Sequence, residues 1–179
     1  MESQAGLLKI RATPLDGVLL IEPPTNFKDF RGNYIELYNE PLYKASEIGW
    51  NFIQDDISTS RRNVLRGIHG DAKTTKLVTC LFGAFYLVVV NNIPNSKQYR
   101  RWTSFELSDQ NMVQVLIPPG FGNGHLVTAD KAVFHYKQTT TYDRASQFTL
   151  MWNDPALGIR WPTGDGDPIL SPRDSGAQS

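Results

Sequence analysis

The sequence predicts a single all-β domain, a sandwich or a barrel. Three observations predict it. The chain has 179 residues, which fits one domain with one core. Runs of about five to eight residues, rich in Val, Ile, Thr and aromatics, recur between Gly, Pro, Asn and Asp clusters. Helical patterns of about twelve residues, which an α/β fold requires, do not recur. Hydrophobic residues make up 40% of the chain, enough for a core.

The elements follow in order. DGVLLIE (16–22) reads as a strand. The Pro pair after it breaks structure, Asp29-Phe30-Arg31-Gly32 forms a turn, and NYIELYN alternates as a strand. Residues 40–50 are the best helix candidate, interrupted by Gly49. WNFIQDDIS and NVLRGIH are strands on either side of the basic pair Arg61-Arg62. KLVTCLF and AFYLVVVNN meet across Gly83 as an expected hairpin. YRRWTSFEL and MVQVLIP follow, the second stopped by Pro118-Pro119-Gly120. HLVTA, AVFHYKQT and FTLMWND complete the set. Beyond Trp152 the chain turns rich in Pro, Gly and Asp. Ile159, Trp161, Ile169 and Leu170 are spaced as anchors, so residues 155–174 are expected to pack back on the domain. Residues 175–179 are expected to fray.

Composition excludes several classes. Eighteen basic residues balance eighteen acidic ones, which implies no general affinity for nucleic acid or anionic membrane. No apolar run reaches membrane-spanning length, and the N-terminus lacks the pattern of a secretory signal. The single cysteine, Cys80, lies in an apolar strand and reads as buried filler. A lone cysteine suits a cytoplasmic protein. RGN, PPGFGNG and TGDGD match neither a dinucleotide fingerprint nor a P-loop.

Polar residues that interrupt strands are the candidates for chemistry. His69 ends NVLRGIH, and histidine is the usual base near neutral pH. Alternation puts Leu65, Gly67 and His69 on one face and Arg66 on the other, so a regular strand cannot place Arg66 beside His69. A bulge at Gly67 or a strand end resolves this. Lys76 opens KLVTCLF. It is either a solvated strand end or, pointing inward, a group that stabilises negative charge on an oxygen. Tyr136 shares a face with Phe134 and Gln138, and local sequence does not say whether that face is buried. The histidines His69, His125 and His135 contain no His-x-His pair, so a metal site is not expected.

The fragments NVLRGIH, KLVTC, IPPGFGNGH, FHYK, WNDPALGIRWP and ILSPRD occur in this order between about residues 16 and 174. In this the sequence resembles the dTDP-4-dehydrorhamnose 3,5-epimerase family of nucleotide-sugar epimerases. The resemblance implies a double-stranded β-helix, that is, a jelly-roll (cupin) barrel with short peripheral helices, as one domain over residues 1–179. It implies an enzyme without metal or other cofactor that inverts C3, C5 or both in a nucleoside-diphosphate 4-keto-6-deoxy sugar. A base removes the proton next to the ketone, an enolate forms, and a donor returns a proton from the opposite face.

By the family pattern, His69 resembles the base and Asp174 its orienting carboxylate. Tyr136 resembles the proton donor, and Lys76 the group at the enolate oxygen. Arg66 resembles a sugar or phosphate ligand, while Arg31 and Gln54 resemble contacts on the nucleotide side or from an adjoining subunit. The resemblance also implies a homodimer that exchanges N-terminal strand material. Where the family has PGFAHGF this chain has PGFGNGH, with Asn123 in place of a histidine and His125 two places later. Leu87 stands where the family commonly has aspartate. Asn123 is therefore expected to bind substrate in a rebuilt pocket wall that includes Leu87. RGIHGDAKTTKLVTC, QFTLMWND and WPTGDGDPILSPRD are similar to a subgroup acting on GDP-linked heptoses, which favours GDP over dTDP. The alternatives are a 3,4-ketoisomerase on the same fold and a non-catalytic sugar-nucleotide-binding cupin.

Overall fold

The structure, a computed structural model, describes residues 8–23, 25–164 and 166–176. Its strands are β1 (Lys9–Ala12), β2 (Leu19–Glu22), β3 (Asn26–Asp29), β4 (Gly32–Ile35), β5 (Gln54–Arg61), β6 (Leu65–Gly70) and β7 (Lys76–Phe82). There follow β8 (Ala84–Asn91), β9 (Trp102–Ser108), β10 (Gln114–Ile117), β11 (Phe121–Val127), β12 (Lys131–Gln138) and β13 (Phe148–Thr149). A short helix, α1 (Glu40–Ala45), lies between β4 and β5, and a 3-10 turn (Arg144–Ser146) precedes β13. The expectation that residues 175–179 fray lies partly outside the described residues.

The strands form a six-stranded sheet, β1-β2-β10-β7-β12-β5, and a five-stranded sheet, β13-β6-β11-β8-β9. Strands β3 and β4 pair separately as a hairpin. Pairing within both sheets is antiparallel. The expected jelly-roll barrel is corrected: the fold is cupin-like, but the sheets are not closed into a barrel. Each keeps two edges, β1 and β5 in the larger, β13 and β9 in the smaller. Closure requires terminal strands to hydrogen-bond with matched tilt and shear. Alternation along a strand records which face is buried and carries no information about which edges meet.

Three apolar clusters build the layers. Val78, Val115 and Phe134 of the larger sheet meet Phe85, Leu87, Val89 and Phe121 of the smaller one, forming the core between the sheets. On the outer face of the larger sheet, Ile21, Leu77 and Leu116 pack under Tyr43 of α1. On the outer face of the smaller sheet, Ile68, Val88 and Val90 pack under Leu157, Ile159 and Trp161. Leu157, Ile159 and Trp161 thus lay this stretch of the C-terminal segment over the smaller sheet. Ile169 serves through its backbone instead: its N–H donates to Asn63 O at 2.8 Å, and its carbonyl accepts from Leu65 N at 3.0 Å.

Helix α1 is shorter than residues 40–50. Asn39 caps its N-terminus, accepting from Leu42 N, and Pro41 suits the first turn. It ends at Ser46, and Glu47 takes a left-handed φ of 66°. The hairpin expected across Gly83 is also corrected, since β7 and β8 belong to different sheets. Gly83 is the corner where the chain crosses between layers, with φ 73°. Cys80 is fully buried, and burial pushes its thiol pKa up to about 12.

A Cβ on Gly83 would lie 1.9 Å from the Lys131 carbonyl oxygen. Gly83→Ala is therefore expected to destabilise the fold by ~2–3 kcal/mol. Thermal unfolding should show a Tm lowered by ~5–10 °C.

Candidate active site

Strand β6 carries the geometry that a regular strand forbids. Arg66 pairs with His125 of β11, and His69 pairs with Asn123, so two residues of β6 face Gly124 alone. This is the bulge that alternation demanded. Gly67 adopts φ 114°, and a Cβ there would sit 2.5 Å from Gly124 Cα and 2.6 Å from Asn123 O. Only glycine permits both that backbone and that approach. The extra residue turns Arg66 and His69 to the same side.

That side opens into a cavity of about 510 Å³ between the two sheets. The smaller sheet contributes Arg66, His69, Asn123 and His125. The larger sheet contributes Ser58, Lys76, Phe134 and Tyr136. Tyr142, Arg144 and Gln147 approach from the β12–β13 connection, and Arg173 and Asp174 from the C-terminal segment.

His69 Nε2 lies 2.7 Å from Asp174 Oδ1 across 105 positions of sequence. Ser171 Oγ donates to the other carboxylate oxygen at 2.8 Å. Burial acts to raise the Asp174 pKa, but hydrogen bonds from His69 and Ser171 outweigh it and hold the carboxyl below its usual range. An ionised Asp174 that accepts from Nε2–H leaves Nδ1 of His69 as the basic nitrogen.

Lys76 is 8% exposed. Its Nζ donates to Asn123 Oδ1 at 3.2 Å. Burial lowers its pKa, opposed by Asp71 and reinforced by Arg173. Tyr136 lies on the opposite wall from His69. Burial first, then the neighbouring Asp56, raises its pKa, so its hydroxyl stays protonated. Arg66 Nε donates to Ser60 Oγ at 2.9 Å. Arg66, Lys76, Arg144 and Arg173 line the cavity against the single carboxylate of Asp174, an excess of positive charge that suits an anionic ligand.

The structure thus brings His69, Asp174, Tyr136, Lys76, Arg66 and Asn123 to one cavity. It does not bring Arg31 or Gln54 there. Arg31, in the β3–β4 hairpin, pairs with Asp29. Gln54 donates to Asp56 Oδ2 at 2.7 Å and accepts from Tyr142 N at 2.9 Å, so it braces the residues behind Tyr136 and under Tyr142. Leu87 does not share a pocket wall with Asn123. It is fully buried in the core, opposite His125. His135 faces the other side of its sheet and pairs with Asp55 at 2.9 Å. Among the described residues, no three His, Cys, Asp or Glu side chains group as a metal site would need.

Sequence reasoning missed Tyr142, Arg144, Gln147, Arg173 and His125. Arg173 adjoins Asp174 in SPRD, and that adjacency was the available signal. The others lie on a connection whose path strand patterning does not predict, or on a strand face it does not orient.

The family model for dTDP-4-dehydrorhamnose 3,5-epimerase matches residues 12–179. The Escherichia coli K12 dTDP-4-dehydrorhamnose 3,5-epimerase is 39% identical over 172 residues, covering 93% of this chain and 91% of that protein. A dTDP-4-dehydrorhamnose 3-epimerase of Streptomyces niveus is 35% identical over 178 residues, covering 95% and 83%. The crystal structure of dTDP-6-deoxy-D-glucose-3,5-epimerase from Legionella pneumophila, in complex with dTDP-4-keto-L-rhamnose, superposes with TM-score 0.89 at 35% identity, covering 95% and 91%.

The Asp174 carboxyl has a lowered pKa when folded, so its stabilising contribution is whole above the ordinary value of 3.8 and falls away as pH drops through the lower folded value. The stability gap between wild type and Asp174→Asn is expected to be constant above about pH 5 and to narrow below about pH 4. Urea unfolding across that range measures it. A gap that does not change with pH would remove the ionised hydrogen bond from the account.

With its fold and nearly its whole length matched, the chain belongs to the dTDP-4-dehydrorhamnose 3,5-epimerase family and is a carbohydrate epimerase.

Proposed function

We propose that the chain inverts C3 and C5 of a dTDP-linked 4-keto-6-deoxy sugar. The observation that carries this reading is the placement of a His69–Asp174 pair and a protonated Tyr136 on opposite walls of one cavity, with Lys76 buried on the Tyr136 wall. Inversion needs these parts. The C4 ketone acidifies the neighbouring C–H. His69 Nδ1 takes that proton, and Asp174 stabilises the imidazolium. The electron pair moves onto the C4 oxygen, where Lys76, held by Asn123, stabilises it. Tyr136 delivers a proton to carbon from the far side, and solvent restores it. The arginines Arg66, Arg144 and Arg173 suit the diphosphate, because a guanidinium pairs with two oxygens at once.

The sequence favoured GDP through its likeness to the heptose enzymes. The relatives found are named for dTDP-linked sugars, and nothing in them singles out the heptose subgroup. The nucleotide expected is therefore dTDP.

The β3–β4 hairpin supports a homodimer. Phe30 is 97% exposed, with Phe27 and Tyr34 also exposed beside Arg31. An aromatic patch of this kind marks a contact surface. A second copy that receives the hairpin would gain Arg31 at its cavity, which accounts for an arginine that its own chain leaves outside.

Incubation with dTDP-4-keto-6-deoxyglucose in deuterated water, followed by NMR, tests the reaction. Deuterium is expected at C3 and C5 with the C4 ketone retained. The GDP-linked sugar should react at least ~10-fold more slowly. No exchange with either nucleotide sinks the reading, and a migrated carbonyl makes the chain a ketoisomerase. His69→Ala should lower exchange by ~10³-fold. Tyr136→Phe should suppress inversion more than exchange; unchanged inversion removes Tyr136 as donor.

Phe30→Asp is expected to shift sedimentation towards monomer and to lower turnover. A variant that stays dimeric with full activity would exclude the hairpin from the interface.

A further inference from the structure

One buried polar side chain in the cavity has no part in the reaction above. His125 is 3% exposed and lines the cavity. Its ring stacks on Phe134 at 4.2 Å and 8°, and meets Phe85 at 5.2 Å. Nε2 is enclosed without a hydrogen-bond partner among the described residues, and none of them bonds the other ring nitrogen either. Burial, with Arg66 next to it, pushes the pKa down to about 3, so the ring is neutral throughout the working range.

Packing alone does not explain this residue. The stack on Phe134 and Phe85 asks only for a flat ring, which phenylalanine would supply. Histidine makes the same stack while enclosing Nε2 without a partner. A buried polar group without a partner is a loss that some other interaction must offset. Its position indicates which one. Asn123 lies two residues earlier on the same face of β11, and Arg66 lies directly across on β6. His125 therefore adjoins Asn123 and Arg66 on one wall of the cavity. A neutral imidazole suits a hydroxyl, whereas the charged arginines suit the diphosphate.

We propose that His125 is a specificity residue whose imidazole hydrogen-bonds a hydroxyl of the bound sugar. Since Nε2 is enclosed, the other ring nitrogen is the one that meets the ligand. The inference rests on the epimerase reading and deepens it, for a phenylalanine here would offer the sugar only an apolar surface.

His125→Phe tests it, with dTDP-4-keto-6-deoxyglucose as substrate and dTDP alone as a probe of the nucleotide half. We expect kcat/KM to fall ~10–100-fold, mainly through KM. Affinity for dTDP should stay within about twofold, and Tm should match or exceed wild type because the enclosed, unpartnered Nε2 is gone. His125→Gln, which restores a hydrogen-bonding group, should recover part of the loss. A His125→Phe enzyme with kcat/KM within about twofold of wild type overturns the proposal. So does an equal loss of dTDP affinity, or a chain that fails to fold, since phenylalanine must fill the site. A wild-type chain without exchange would instead overturn the epimerase reading itself.

Discussion

The close approach of β6 and β11 at Gly67 and Gly124 is the constraint on which the site depends. A side chain at Gly67 would run into the opposite backbone at 2.5 Å, and its φ of 114° is one that other residues rarely adopt. Gly124 is tight as well, with a Cβ position 3.1 Å from Arg66 O and from Ile68 Cγ1. The bulge that these glycines allow turns Arg66 and His69 to one side, while Ile68 goes to the apolar cluster on the other. Without it, either His69 or Arg66 would face away from the cavity. The C-terminal segment closes the arrangement, because Asp174 reaches His69 only after residues 150–161 have covered the outer face of the same sheet.

Burial gives the cavity its chemical character. Lys76 and His125 are both enclosed, but their surroundings use them differently. Lys76 keeps one neutral acceptor, Asn123, and among the described residues no carboxylate contact, so no counter-charge occupies its Nζ. His125 sits between two phenylalanines and beside a guanidinium, where protonation is disfavoured. Tyr136 is held protonated for a related reason, burial reinforced by the charge of Asp56. Two walls with different protonation behaviour face each other across the space that a sugar ring would fill. In low dielectric such differences persist, because burial weakens the screening that would level them.

Much of the fold was legible in alternation. The pattern of KLVTCLF and AVFHYKQT marks β7 and β12, and PPG marks the end of β10. The anchors Ile159 and Trp161 announced a C-terminal segment that packs. The crossing at Gly83 was read as a hairpin because two strands joined by a glycine look alike whether they pair or part. Four-residue β1 and β3 were not read as strands: β1 is too short for its alternation of Ile10 and Ala12 with Lys9 and Arg11 to stand out, and β3 is exposed throughout. In the site, His69 and Lys76 stood out as polar residues in apolar runs. Arg144 and Gln147 did not, since a polar residue on a polar connection carries no contrast.

The sequence by itself determined that the chain is all-β, that Arg66 and His69 could share a face only through a bulge at Gly67 or a strand end, and which family it resembles. These are properties of local order along the chain, where period and steric limits act between neighbours. Only the tertiary structure decided that the sheets stay open and that Asp174 meets His69 from 105 positions away. It also decided that Leu87 belongs to the core while Asn123 belongs to the cavity. Those outcomes depend on which faces and edges meet in space, and strand periodicity is the same whichever of them do.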